Sequence, residues 1–309
     1  MDRIIAKYTT GPGKPLLLCI SAIHGNEPAG VTASRKVVEM LEMEPLKNPD
    51  FLFNGNYIGI CGNINALNHN LRYINRDMNR MLYSELIESV KEKDKSILKN
   101  EELEVLEFIE AVNEVLNEYQ PSVLYVLDLH TTSAKGGIFA LPSEDPESLK
   151  LAKQLHAPVI RGFIEGIKGT TLHYFRSENT GIPTTAVVFE AGQHENPHSE
   201  DRCIAAIINC MRSMGCVKDH DVENKHDEIL QEFTKYLPAV SHLSFVYKID
   251  PDEQFIMLPG YVNFQPLKLG ETLGYNKKGA VKSPLKGRIL MPLYQNKGED
   301  GFFIIQEEE

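Results

Sequence analysis

The sequence has no stretch of eighteen or more apolar residues, no Cys-x-x-Cys pair, and fewer cations than anions. The first absence removes any helix able to span a bilayer. The N-terminal MDRIIAKYTT also lacks the basic start and apolar run of a signal peptide, so a cytoplasmic location is expected. Five cysteines, an odd number, include Cys19, Cys61, Cys203 and Cys210 inside apolar runs. Buried reduced thiols follow, rather than a disulfide framework or a thiolate metal site. With 32 Lys+Arg against 43 Asp+Glu the formal net charge is -11. Phosphate binding needs concentrated positive charge, so no nucleic acid and no membrane surface is expected as a partner. Any anionic ligand must be met by a local basic cluster. The chain of 309 residues is 42% hydrophobic and 24% charged, which excludes disorder and gives room for one large domain or two ordinary ones.

Residues 16 to 23, LLLCISAI, form a short apolar run ending in His24-Gly25-Asn26-Glu27, and Pro28 then opens a helical pattern to about residue 43. This is strand, tight loop, helix, with Pro28 suited to the first helical turn because its missing N–H would be unpaired there. Segments 56 to 62, 122 to 129 and 184 to 189 are apolar on both faces, as strands of a helix-covered parallel sheet must be. Residues 101 to 119 carry the apolar stripe of an amphipathic helix, and the mixed-charge run 91 to 102 is a solvated helix or loop. From about residue 225 short apolar segments alternate with Pro and Gly, which predicts a small β domain. The stretch GETLGYNKKGAVKSPLKGRILMP resembles the barrel-sandwich domains that carry biotin or lipoate, but it has no Met-Lys pair, so the likeness extends to fold only.

His24 and Glu27 follow one predicted strand, and His130, in DLHTT, closes another. Ligands of open α/β sheets collect at the carboxyl ends of strands, so both segments point to one rim. Two imidazoles and a carboxylate make a zinc set with a fourth position open, and such a metal brings water to a pKa of about 7. Asp128 could orient His130 from behind or simply face a helix. Taken alone, H-x-x-E also describes an exposed helix pair. In NHNLRYINRDMNRML, Arg72, Arg76 and Arg80 stand four apart and would share a face if helical. Asn79 beside Arg80 suits a two-point grip on a carboxylate, and a desolvated Arg can steady an oxyanion. The bland alternative is three solvated arginines. Glu190 ends the strand TTAVVFE, where a carboxylate can take a proton from water and pass it to a leaving nitrogen. His194 and His198 have ligand-like spacing, but Asn196 and Pro197 between them predict a loop, so a second metal site is not expected.

The order HGNEPAG, RYINRDMNR, DLHTT, FEAG resembles the aspartoacylase and succinylglutamate desuccinylase family, a branch of the zinc carboxypeptidase fold. The resemblance covers residues 16 to 193 as motifs. It implies an α/β fold with a mixed, mostly parallel sheet flanked by helices, a catalytic domain over 1–224, and an all-β, barrel-sandwich-like domain over 225–309 capping the site. It further implies one Zn²⁺ per chain on His24, Glu27 and His130, Glu190 as general base and acid, Arg72 polarising the scissile carbonyl, and Asn79 with Arg80 holding a substrate α-carboxylate. The implied activity is hydrolysis of a small-molecule N-acyl amino acid. The alternatives are a metallocarboxypeptidase or peptide amidase on the same zinc site, and a non-catalytic metal-dependent binding module. The chain departs from the family pattern R-Y-I-D-x-D-L-N-R at Asn75 and Arg76, which bears on substrate rather than chemistry. Tyr174 and Arg176 are near the position of the family's side-chain-reading arginine but at different spacing, and Tyr294 lies where the family brings a C-terminal tyrosine. These residues, like Arg76, receive no role from sequence. A homo-oligomer is compatible with the chain, which carries no signal for its order.

Overall fold

A computed structural model describes residues 1–223 and 225–308 of the chain. Its strands in chain order are β1 (Ile4–Thr9), β2 (Leu16–Ser21), β3 (Asn56–Cys61), β4 (Leu124–Thr132), β5 (Phe139–Pro142), β6 (Val159–Arg161), β7 (Thr184–Gln193), β8 (Val240–Lys248), β9 (Ile256–Met257), β10 (Pro266–Leu267), β11 (Thr272–Asn276), β12 (Gly279–Lys282), β13 (Gly287–Leu290) and β14 (Asp300–Glu307). Eleven of these form one sheet in the order β1-β3-β2-β4-β7-β5-β6-β8-β14-β13-β10, and β12-β11-β9 form a second, three-stranded sheet.

At the centre, β3, β2, β4 and β7 run parallel. Their side chains alternate between two apolar layers, as the two-residue period of a strand requires. Leu17, Cys19, Leu127, Leu129, Val187 and Phe189 pack on one face, in the layer that also takes up Val37, Leu41, Ala205 and Ile208 from the helices Ala29–Lys47 and Ser199–Ser213. Leu16, Leu18, Ile20, Val126, Ala186 and Val188 face the other way, in the layer of Val105, Phe108, Ile109 and Val112 from the helix Glu101–Tyr119. That both faces are covered explains why these strands read as continuous apolar runs.

Two expectations need correction. The main sheet is mixed, with five parallel pairings (β3–β2, β2–β4, β4–β7, β5–β6, β6–β8) and five antiparallel ones, so it is not mostly parallel. The C-terminal strands do not close into a separate all-β unit either. β8 pairs in parallel with β6, and β14, β13 and β10 follow antiparallel, so the main sheet continues into the C-terminal region. The physical reason is burial: Leu243, Leu290, Phe303 and Ile305 belong to the same apolar layer as the central strands. Only a smaller cluster around Met257, Leu273, Val281, Ile289 and Phe302 is the C-terminal region's own. No helix of the described residues is long and apolar enough to cross a membrane.

Candidate metal and catalytic site

The rim where the parallel strands end gathers the predicted residues. After β2 the chain turns through His24–Glu27, with the Glu27 N–H donating to the His24 carbonyl at 3.1 Å, and enters the helix at Ala29. Gly25 allows this loop to lie against its neighbour: a Cβ there would stand 2.1 Å from the Ala66 carbonyl carbon. His130 lies within β4, two residues before its end, and Glu190 within β7, because both strands run further than their apolar runs suggest.

One nitrogen of His24, one nitrogen of His130 and one Glu27 oxygen lie within 4.8 Å of one another, all three residues buried. Among the described residues no other group of three such side chains forms a set of this kind. Glu27 Oε1 is 2.9 Å from His24 Nδ1, and Glu27 Oε2 is 3.1 Å from His130 Nδ1. Each ring is held from behind by a carboxylate, His24 Nε2 by Asp77 Oδ1 at 3.1 Å and His130 Nε2 by Asp128 Oδ2 at 2.9 Å. A ring that donates its Nε2–H to a carboxylate keeps Nδ1 as a lone pair facing inward, the tautomer a metal requires. The donor set therefore fits a divalent cation of the zinc type.

Charge at the site is dense and mutually compensated. Burial alone would raise the Glu27 carboxyl, but His24 and His130 outweigh it and hold it well below the usual carboxylate range. Burial opposes protonation of His130, yet Asp128 and Glu27 hold its pKa well above the ordinary imidazole value. Asp77, despite burial, is held low by Arg72 and His24. Arg72 donates from Nη2 to Asp77 Oδ2 at 3.0 Å, with Nη1 3.7 Å from Glu27 Oε1, while its buried Nε has no partner. Glu190 differs: burial, helped by repulsion from Glu27, pushes its carboxyl up to about 8 against the pull of His130 and Arg72, and its buried Oε2 has no partner. A carboxyl poised near neutrality in a cavity wall is suited to both accepting and giving a proton.

The condition under which the three arginines would share a helix face is not met. Residues 71–77 form an irregular loop before a short turn of 3₁₀ helix at Met78–Arg80. Glu101 enforces this: its carboxylate accepts the backbone N–H groups of Ile74, Asn75 and Arg76 at 2.6, 3.0 and 3.2 Å, bonds that a helix over this segment would rearrange. Arg72, Asn79 and Arg80 line the cavity with the His-Glu-His set and Glu190, whereas Arg76 and Arg176 are exposed and outside it. Tyr174 packs edge-on against Phe175. Tyr294 donates from its hydroxyl to the Leu258 carbonyl at 2.8 Å and accepts from the Tyr261 N–H at 2.9 Å, a structural tie beside a second cavity. His194 bonds Thr131 Oγ1 at 2.7 Å, and His198 is solvent-facing.

Sequence reasoning passed over several contributors. Asp77 caps the 3₁₀ turn and holds both His24 and Arg72. Thr171 Oγ1 donates to Asp128 at 2.6 Å, while the Thr171 N–H donates to Asn79 Oδ1 at 3.1 Å. Asp300, at the start of β14, accepts from Arg80 Nη2 at 2.7 Å. The D-x-H spacing hinted at Asp128; nothing in the sequence marks Thr171 or Asp300.

Known proteins share the fold and the family. A probable aspartoacylase of Nostoc sp. is 32% identical over 140 residues, a match spanning 44% of this chain and 42% of that relative. A succinylglutamate desuccinylase structure from Vibrio parahaemolyticus superposes with a TM-score of 0.59 at 14% identity, covering 98% of this chain and 84% of the other. Murine aminoacylase 3 gives 0.57 at 15% identity, with 96% of each chain covered. These likenesses in structure establish the fold. The succinylglutamate desuccinylase/aspartoacylase catalytic domain matches residues 12–213, and the chain belongs to that family.

Proposed function

We propose that the protein is a zinc-dependent amidohydrolase that cleaves an N-acyl amino acid into a carboxylic acid and a free amino acid. The observation that carries this is the convergence of His24, Glu27 and His130 within 4.8 Å, with a carboxylate behind each imidazole. Zinc held by these three would act as a Lewis acid and bring water to ionise near neutral pH.

Everything else is the work of the chain's own side chains. Glu190, with a free buried oxygen and a carboxyl raised to about 8, takes a proton from water and returns it to the departing nitrogen. Arg72, kept charged by Asp77 and Glu27, aims its unpartnered Nε at the oxyanion that develops as the carbonyl is attacked. Asn79, whose side-chain Oδ1 accepts from the Thr171 N–H, keeps its side-chain amide N–H groups for the substrate α-carboxylate beside Arg80. In this reading the reacting groups come from the part of the chain before residue 224, and the later segment with Gln295, Lys297 and Asp300 lies over them.

A metallopeptidase acting on longer chains needs an open cleft. Three ties argue against one: Asn26 Nδ2 donates to Gln295 Oε1 at 3.0 Å, Lys297 Nζ to the Tyr73 carbonyl at 2.6 Å, and Arg80 to Asp300, each drawing the C-terminal segment across the rim. The test is a hydrolysis screen on zinc-loaded protein. N-acyl amino acids should be cleaved and unmodified peptides left intact; the reverse order would refute the proposal.

A further inference from the structure

The wall around the candidate centre has few free charges and much apolar surface. Among the described residues its arginines are Arg72 and Arg80, and no lysine lines it. Arg72 is committed to Asp77. Arg80 is committed on two sides, donating from Nη1 to the Asn79 carbonyl at 2.8 Å and from Nη2 to Asp300 Oδ2 at 2.7 Å, with Glu299 4.0 Å from its Nε. Asp300 is buried and lines the same cavity. Its apolar part includes the buried Leu141, Phe163, Ile167, Leu172, Val188 and Phe303, with Ile164, Met291 and Leu293 half-buried beside them.

This apolar wall adjoins Arg80 directly. The segment bearing Ile167 and Leu172 is pinned to it by the Leu82 N–H donating to the Gly169 carbonyl at 2.9 Å and the Thr171 N–H to Asn79. The approach is so close that a Cβ on Gly169, whose φ is +75°, would lie 2.5 Å from the Arg80 carbonyl oxygen. A ligand carboxylate at Asn79–Arg80 therefore has an apolar surface next to it and a buried carboxylate, Asp300, sharing its only guanidinium. One carboxylate can use the remaining N–H groups of Arg80 and the Asn79 amide. A second would be desolvated beside Asp300, with Arg72 already paired to Asp77, an arrangement that like-charge repulsion strongly disfavours.

We infer that the substrate is an N-acyl amino acid with a single carboxylate and an apolar side chain, and that Asp300 is a specificity residue that excludes dicarboxylates by half-neutralising Arg80. This rests on the deacylase assignment proposed above, but it can be tested apart from turnover. Binding to the zinc-loaded Glu190→Gln protein is measured by calorimetry with N-acetylleucine, N-acetylphenylalanine, N-acetylaspartate and N-succinylglutamate, and turnover of the same four by the unmutated protein is followed in parallel.

The two apolar compounds should bind at least about tenfold more tightly than the two dicarboxylates, and Asp300→Asn should narrow that ratio by improving the dicarboxylates. Equal or tighter binding of a dicarboxylate, or no binding of any of the four, overturns the inference. If Asp300→Asn does not fold, the ranking with Asp300 in place decides alone. Preferential binding of the apolar compounds with no turnover of any substrate would sink the deacylase assignment while leaving the specificity intact. Turnover that favours N-acetylaspartate would do the opposite.

Discussion

His130 on β4 and Glu190 on β7 are register partners across a parallel pair. Parallel strands in register place opposite side chains on the same face, one strand spacing of roughly 4.8 Å apart. The fold thus delivers a candidate ligand and a candidate proton carrier side by side, although sixty positions separate them in sequence. Leu129 and Phe189, one residue earlier in each strand, point into the opposite layer and are anchored there in the core. The pair is the last in regular register before a bulge between the two strands.

Glu190→Gln keeps the volume of the side chain and removes its capacity to carry a proton. Turnover should fall by about 10² to 10⁴ while zinc content is unchanged. Steady-state kinetics alongside metal analysis checks this, and a variant with ordinary turnover would remove Glu190 from the mechanism.

Asp77 and Asp128 hold the outer nitrogens of the two imidazoles. Replacing either by Asn should weaken zinc binding by about 10- to 100-fold, read by competition with a chelator of known affinity. Asp128→Asn also leaves the Thr171 hydroxyl with a weaker acceptor. Unchanged zinc affinity in both variants would mean the imidazoles need no such support.

Glu101 is buried at the start of its helix and accepts three consecutive backbone N–H groups of the loop carrying Arg72 and Asp77. Glu101→Ala should cost about 2 to 3 kcal/mol in urea unfolding and should lower turnover with it, because three hydrogen bonds to a carboxylate are lost and the loop they shape is released. Glu102→Ala next to it removes only a half-exposed pair with Lys93 and should cost less than about 1 kcal/mol. Equal effects of the two would contradict the assignment of the loop to Glu101.

All five cysteines are free and buried, and burial pushes the thiols of Cys19, Cys61 and Cys216 up to about 12. The folded protein should resist thiol reagents at pH 8 and react fully once unfolded. The linkage has a definite sign. The unfolded thiols ionise from an ordinary pKa of about 8.5 while the folded ones hold their protons, so stability should decline as pH rises above about 9. Rapid labelling of native protein at pH 8 would contradict this.

Legibility in the sequence followed the range of the interactions. The strand-loop-helix at residues 16 to 43 could be read because each signal is local: an apolar run, a Gly-Asn loop, a proline at the helix start. The helix Glu101–Tyr119 likewise carries its own stripe. The conformation of the loop at 71–77 could not be read, because it is imposed by Glu101, about twenty-five residues away, and four-residue spacing of arginines says nothing of a distant carboxylate. Asp300 could not be read at all, since it reaches Arg80 across 220 positions. The C-terminal strands showed their β character locally, but their pairing with β6 depends on an edge that only the folded sheet presents.

The most direct test is the zinc content of purified protein, measured by mass spectrometry for the unmutated chain and for His24→Ala and His130→Ala. About one zinc ion per chain in the first and little in either variant is the predicted result. Zinc retained at full occupancy when an imidazole is gone, or no zinc taken up by the unmutated chain on incubation with excess metal, would contradict the His24-Glu27-His130 centre.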